Sequence, residues 1–211
     1  MRVVVGTGHS GDSKEAEIDR HLGMMTRFAA RAMSGSDAAP TITMILRSAG
    51  SLPAQALWQA RDDLARAGVS AKVVLAKIEP EAELKQLYAC LCQLRPLRPA
   101  RELLRWAHNP RLLDAHEQVT LGSSMCWSGD AMRRDADKRN ALALFDENAP
   151  DTAHLGRLSF EALWLASIDV PQRRLSAPSA VVKPSGAFEA EAALAASPLQ
   201  PSPQGWPLVR H

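Results

Sequence analysis

His108, His116, Glu117 and Ser123 are the side chains of this 211-residue chain whose types and spacing could do chemistry. A histidine that carries little positive charge can act as a nucleophile, and His108 is the candidate for that part or for a binding role. Gly122-Ser123, fourteen residues on, reads as a tight turn whose backbone N–H groups and hydroxyl would suit an oxyanion. Arg95, Arg98, Arg101, Arg105 and Arg111 lie around His108, and Arg133, Arg134, Lys138 and Arg139 follow the Gly-Ser pair. Clusters of this kind attract anions, although Glu102, Asp130, Asp135 and Asp137 can neutralise them. The candidate anion- or partner-binding residues are therefore Arg105, Arg111, His116, Gly122, Arg133 and Arg134. Successive residues of a strand point to opposite faces, so His116 and Glu117 do not read as a catalytic dyad. One of them is expected to be a solvated turn residue.

The residues from His108 to Cys126 resemble the signature of the phospholipase D superfamily. That signature runs His, any residue, Lys, four residues, Asp, six residues, Gly-Ser, two residues, Asn. His108, Gly122 and Ser123 stand in register with it, whereas Pro110, Ala115 and Cys126 occupy the Lys, Asp and Asn positions. Other pieces follow in family order: an Ala-Gly-Val helix end at 67–69 running into a Lys-Val-Val-Leu strand at 72–75, Arg139-Asn140, and a closing Phe160-Glu161-Ala162-Leu163-Trp164. Trp127-Ser128-Gly129 stands where the family carries an aromatic or polar turn. The acidic residue expected after Arg139-Asn140 is Leu142.

The resemblance implies a single-motif, nuclease-like half of that superfamily, with a phosphohistidine chemistry in which Lys and Asn hold the phosphoryl oxygens. It also implies a two-fold homodimer that brings the two His108 regions together. In that frame the catalytic positions are His108 and Ser123, both vestigial. Pro110 has neither charge nor N–H, and Ala115 has no carboxylate. Loss of one oxyanion donor alone costs roughly 100- to 1000-fold in rate, and two are missing here.

Composition limits the alternatives. An apolar fraction of 46% and a charged fraction of 23% are ordinary globular values that can build a core. A formal net charge of +2 does not by itself imply nucleic acid, and few aromatics interleave the arginines to stack on bases. Cys90, Cys92 and Cys126 are too few and too scattered for a disulfide framework, which suggests a reducing cytoplasm. Cys90-Leu91-Cys92 lacks a second close Cys/His pair, so no metal and no cofactor are expected. The Met-Arg-Val-Val-Val start meets Gly6 too soon for a signal peptide, and no apolar run is long enough to span a membrane.

The elements that must position these residues alternate. Val3–Val5, Thr41–Leu46 and Lys72–Lys77 read as strands, and 14–33, Leu52–Ala67 and Glu81–Leu91 as helices. Gly68 is placed to cap the second helix. An Arg/Pro connector follows, then strands at Gln118–Leu121 and Ala141–Phe145. The last helix runs from Asp151, an N-cap candidate, through Trp164 with Leu155, Leu158, Ala162 and Leu163 as its buried stripe. The pattern is α/β: a mixed, mostly parallel sheet with helices on both faces over residues 1–170.

Residues 171–211 hold seven of the fourteen prolines and little apolar periodicity, so a disordered tail is expected. The sequence thus points to a catalytically degenerate phospholipase D-like binding or scaffold subunit, more a pseudoenzyme than an enzyme, with a second copy or another protein as partner. The alternatives are an active phosphodiesterase or nuclease with altered groups, and a nucleic-acid-binding module that does not cut.

Overall fold

The computed structural model describes residues 2–3, 12–35, 40–133 and 144–176. The chain divides into Met1–Ala177 and Pro178–His211, and the second unit lies outside the described residues. In chain order the elements are β1 (Arg2–Val3), α1 (Asp12–Met33), β2 (Thr41–Ser48), α2 (Leu52–Arg66), β3 (Ser70–Lys77) and α3 (Glu81–Leu94). Then come β4 (Leu104–Trp106), β5 (His116–Leu121), β6 (Met125–Ala131), β7 (Leu144–Asp146), α4 (Pro150–Ala166), β8 (Ile168–Asp169) and α5 (Gln172–Leu175). Short 3₁₀ turns cover Ala100–Glu102 and Pro110–Asp114.

The strands form one mixed sheet in the order β1-β7-β6-β5-β2-β3-β4-β8. Its centre, β2-β3-β4, is parallel, and β5 runs antiparallel to β2. The parallel strands need helical crossovers, which α2 and α3 supply. α2 ends where Gly68 takes φ +69°: its N–H reaches the Ala65 carbonyl and that of Val69 the Leu64 carbonyl. This is a Schellman cap, and the buried Leu64 and Val69 seal it.

Alternation along the strands sorts two cores. Ile42, Met44, Leu46, Val73, Leu75, Val119, Leu121 and Trp127 meet Met24, Met25 and Phe28 of α1, Leu57 of α2 and Leu84 and Leu91 of α3. On the opposite face Ile45, Val74 and Ala76 meet Phe160 and Leu163 of α4. Helices therefore cover both faces: α1, α2, α3 and the short α5 on one, α4 on the other.

Several sequence expectations need correction. Trp127-Ser128-Gly129 is not a turn but the middle of β6, paired to β5 and β7. The Arg/Pro connector contains β4, three residues that complete the parallel centre. Asp151 lies in the first turn of α4, and Ala149 takes the N-cap position. The buried stripe of α4 is Ala153, Gly156, Phe160 and Leu163, not the stripe with Leu155, Leu158 and Ala162. The reason is proximity: a Cβ at Gly156 would lie 2.0 Å from Gln118 Nε2 and 2.7 Å from Thr120 Oγ1, so small residues must face the sheet. The folded unit also extends past 170. Val170 and Leu175 are buried, and Arg174 pairs with Glu79 and Glu81 at 3.6 Å each. Of the strand expected at Ala141–Phe145, only Leu144 and Phe145 lie among the described residues, and the tail beyond Ser176 lies outside them.

The β5–β6 pairing shifts register between His116 and Gln118, opposite Ala131 and Ser128. The additional residue on β6 is a bulge, which re-aims the side chains beyond it, and Asp130 there is buried. A Cβ at Gly129 would stand 2.6 and 2.7 Å from the buried Trp127 ring. Gly129→Ala is therefore expected to lose about 1–3 kcal/mol of stability through overpacking. A urea denaturation midpoint equal to that of the wild type would contradict this.

Candidate functional site

The direction of the strands decides where each candidate lies. β2, β3 and β4 run the same way, so Ser48, Lys77 and Trp106 mark one end of the sheet. The Ala107 N–H donates to the Leu75 carbonyl at 2.8 Å, and His108 follows at that end, exposed, its ring 4.2 Å from that of Trp106. The chain then crosses to the other side of β2 through the 3₁₀ turn Pro110–Asp114. Pro110 starts that turn, where a missing N–H costs nothing, and the Asn109 side chain accepts from the Arg111 N–H at 3.0 Å. Residues 110–114 are thus not the strand that would bring the motif's two halves together as neighbours.

β5 then returns antiparallel to β2, with Gln118 opposite Ile45 and Leu121 opposite Ile42. Gly122-Ser123 therefore stands at the far end of the sheet from His108. The six residues of β5 span about 17 Å at 3.4 Å each. At Gly122 (φ +57°) the N–H donates to the Thr41 carbonyl at 2.9 Å. The Gly122 carbonyl accepts from Arg157 at 2.9 Å. The expected oxyanion-binding amide is thus engaged in pairing the end of β5 to β2, and the fold does not gather His108 and Ser123 into one pocket.

The other candidates divide. Arg111 and His116 share the His108 end, and His116 Nδ1 lies 2.7 Å from the Gly129 carbonyl. Arg133 pairs with Asp114 at 2.6 Å. Arg105 is tied into the fold: it donates to the Trp164 and Ser167 carbonyls at 3.1 and 3.2 Å and lies 5.1 Å from the Trp164 ring. Arg98 pairs with Glu102 at 2.9 Å. Arg134, Asp135, Asp137, Lys138 and Arg139 lie outside the described residues. His116 and Glu117 do part, as expected of strand neighbours, with His116 exposed and Glu117 buried.

Beside His116 a cleft of about 420 Å³ opens between β5, the Pro110–Asp114 turn and α4. Its walls are Ile45, Leu112, Ala115, Ala162 and Leu163, with His116, Gln118 and Ser159 supplying polar atoms. A concave, mainly apolar site with a few polar groups suits an apolar side chain or a small ligand.

A second set of buried polar and charged groups lies elsewhere: Glu17 and His21 on α1, Arg47 at the end of β2, Glu117 and Asp130. The sequence carried no expectation for Glu17, His21 or Arg47. Burial raises the Glu17 carboxyl, Arg20 opposes that shift, and Glu117 and Asp130 add to it. Burial lowers His21 to about 3. A legible signal existed for His21: it sits inside the apolar stripe of Ile18, Leu22 and Met25. Arg47 gave none, since a charge ending an apolar strand reads as solvated.

Burial pushes the Cys90 thiol up to about 12 and raises that of Cys126, which leaves both poorly nucleophilic. Among the described residues no group of three or more His, Cys, Asp or Glu is placed to hold a metal ion, and no helix is long and apolar enough to cross a membrane.

Comparison with known proteins found no matching family model, no matching curated protein and no matching solved structure.

Proposed function

We propose that the chain is a catalytically degenerate phospholipase D-like domain that works as a binding or scaffold subunit in the cytoplasm. The observation that carries the non-catalytic part of this reading is the placement of His108 and Gly122-Ser123 at opposite ends of the sheet, with the Gly122 N–H already donating to Thr41; the family part rests on the residue pattern from His108 to Cys126 alone. Hydrolysis of a phosphodiester needs nucleophile and oxyanion donors converging on one phosphorus. Within one chain these do not converge, and Pro110, Ala115 and Cys126 hold the positions of the missing Lys, Asp and Asn. The apolar cleft beside α4 is instead suited to holding a partner. The free cysteines accord with a reducing compartment.

Neither alternative gains from the geometry. A nuclease would need the separated groups together. A nucleic-acid module would need its arginines turned outward and free, whereas Arg105 is tied into the fold and the exposed Arg133 is paired with Asp114. The expected result is no turnover of an aryl phosphodiester, DNA or phosphatidylcholine above the background of His108→Ala. Turnover that disappears in His108→Ala would overturn the reading.

A further inference from the structure

A second cavity, of about 340 Å³, lies between α2 and α3, on the opposite face of the sheet from the cleft beside α4. Trp58 and Leu87 supply its apolar wall, and Gln55, Gln59, Gln86 and Glu83 its polar atoms. Gln55 and Gln59 stand one turn apart on α2, as Glu83 and Gln86 do on α3, so each helix presents a polar row to the same space. Among the described residues no Lys, Arg or His lines it.

Glu83 has no compensation within the fold. Its Oε2 is sealed from solvent and lacks a hydrogen-bond partner among the described residues. The neighbouring cations are engaged with other acids: Lys85 pairs with Glu81 at 2.7 Å, and Arg174 reaches Glu79 and Glu81 at 3.6 Å each. The first turn of α3 favours a negative charge, yet no backbone N–H reaches Oε2. A carboxylate shut away from water on one side costs free energy unless a donor or a cation offsets it. Both oxygens share the charge, so a cation at Oε1 serves for the pair.

We propose that this cavity binds a primary alkylammonium ion, with Glu83 as its counter-ion. Such a group carries three N–H donors and no acceptor, and the cavity meets it with the Glu83 carboxylate and the carboxamide oxygens. The Gln55 amide already donates to the Gly50 carbonyl at 2.9 Å, which leaves its oxygen for the ligand. Trp58 and Leu87 hold the alkyl stem. Anions find no cation in the walls. A quaternary ammonium has no N–H to give, and Arg61 already occupies a face of the Trp58 indole that would attract it, 4.3 Å from the ring centroid. The ammonium belongs to a free amine or to a lysine side chain of a protein, and the recognising chemistry is the same. The site shares no residue with His108–Ser123 or with the cleft beside α4 and is independent of the binding-subunit reading.

Titration of the full chain with n-butylammonium chloride should saturate with a dissociation constant of roughly a millimolar. The NMR signals of the Trp58 indole and of the Gln55, Gln59 and Gln86 carboxamides report it. Tetramethylammonium chloride and sodium butyrate at equal ionic strength should bind at least about tenfold more weakly. Glu83→Gln keeps the shape, removes the charge and should weaken butylammonium binding about tenfold or more. Gln86→Ala, at an exposed position where substitution barely alters stability, should weaken it about threefold. Nα-acetyl-lysine methylamide separates the two sources of ammonium: binding at least as tight as that of butylammonium assigns the site to a lysine side chain, and weaker binding to a free amine. Signals indifferent to butylammonium overturn the inference, and so does binding that butyrate matches or that Glu83→Gln leaves unchanged.

Discussion

Glu117→Ala is expected to lower the unfolding free energy by about 3–5 kcal/mol. The carboxylate accepts from the Arg47 N–H at 2.9 Å and the Ser51 hydroxyl at 3.0 Å, and it pairs with the Arg47 guanidinium at 3.2 Å. Arg47 also donates to the carbonyls of Met132 and Ala131 at 3.2 and 3.4 Å. Together these bonds tie the end of β2 to the β5–β6 hairpin. Both side chains are 8% exposed, so removing the anion leaves a buried guanidinium with carbonyls alone, and an amide and a hydroxyl without their acceptor. Replacing both partners with apolar residues, Arg47→Met with Glu117→Leu, should cost less than the single change, because no uncompensated charge remains. Urea denaturation of the three proteins decides the matter: a single variant within about 1 kcal/mol of wild type would mean that water reaches the pair.

Acid should destabilise the fold through His21. The side chain is fully buried, its ring 4.7 Å edge-on from Trp127 and 5.0 Å from Phe145. Neither ring nitrogen has a hydrogen-bond partner among the described residues. Burial lowers its pKa from 6.5 to about 3, so between those values the unfolded chain binds a proton that the folded chain refuses. Stability is then full above the unfolded value and falls on acidification, by up to about 1.4 kcal/mol per pH unit.

Between pH 7 and 4.5 the loss should reach about 2–3 kcal/mol. Glu17, 4.0 Å from His21, acts in the other direction, since its raised carboxyl is relieved as pH falls. His21→Phe keeps a ring against Trp127 and Phe145 and removes the titration, so its stability should vary far less over the same range. An equally steep fall in His21→Phe would assign the acid sensitivity to other groups.

The helices α1, α2 and α3 and the strands β2 and β3 were legible in the sequence because each buries one regular face. The period of Ile18, Leu22 and Met25, or of Leu57, Ala60 and Leu64, states which side meets the core. Gly68 was legible for a local reason, its left-handed conformation. β4 was hidden because three residues in an Arg/Pro-rich connector carry no period, and only the free edge of β3 makes them a strand. Neighbours also chose the buried side of α4. The sequence offers two apolar stripes and favours the larger side chains, yet the close approach of Gln118 and Thr120 admits only the stripe with Ala153 and Gly156.

By itself, then, the sequence determined an α/β chain, its main crossovers and the spacing from His108 to Ser123. Whether that spacing makes a site was decided by the tertiary structure. Spacing along a chain leaves open whether residues 110–114 extend into a hairpin or coil into a turn that crosses β3 and β2. The parallel placement of β4 beside β3 and the antiparallel placement of β5 beside β2 require the crossing, and that crossing sets the two halves of the motif at opposite ends of the sheet.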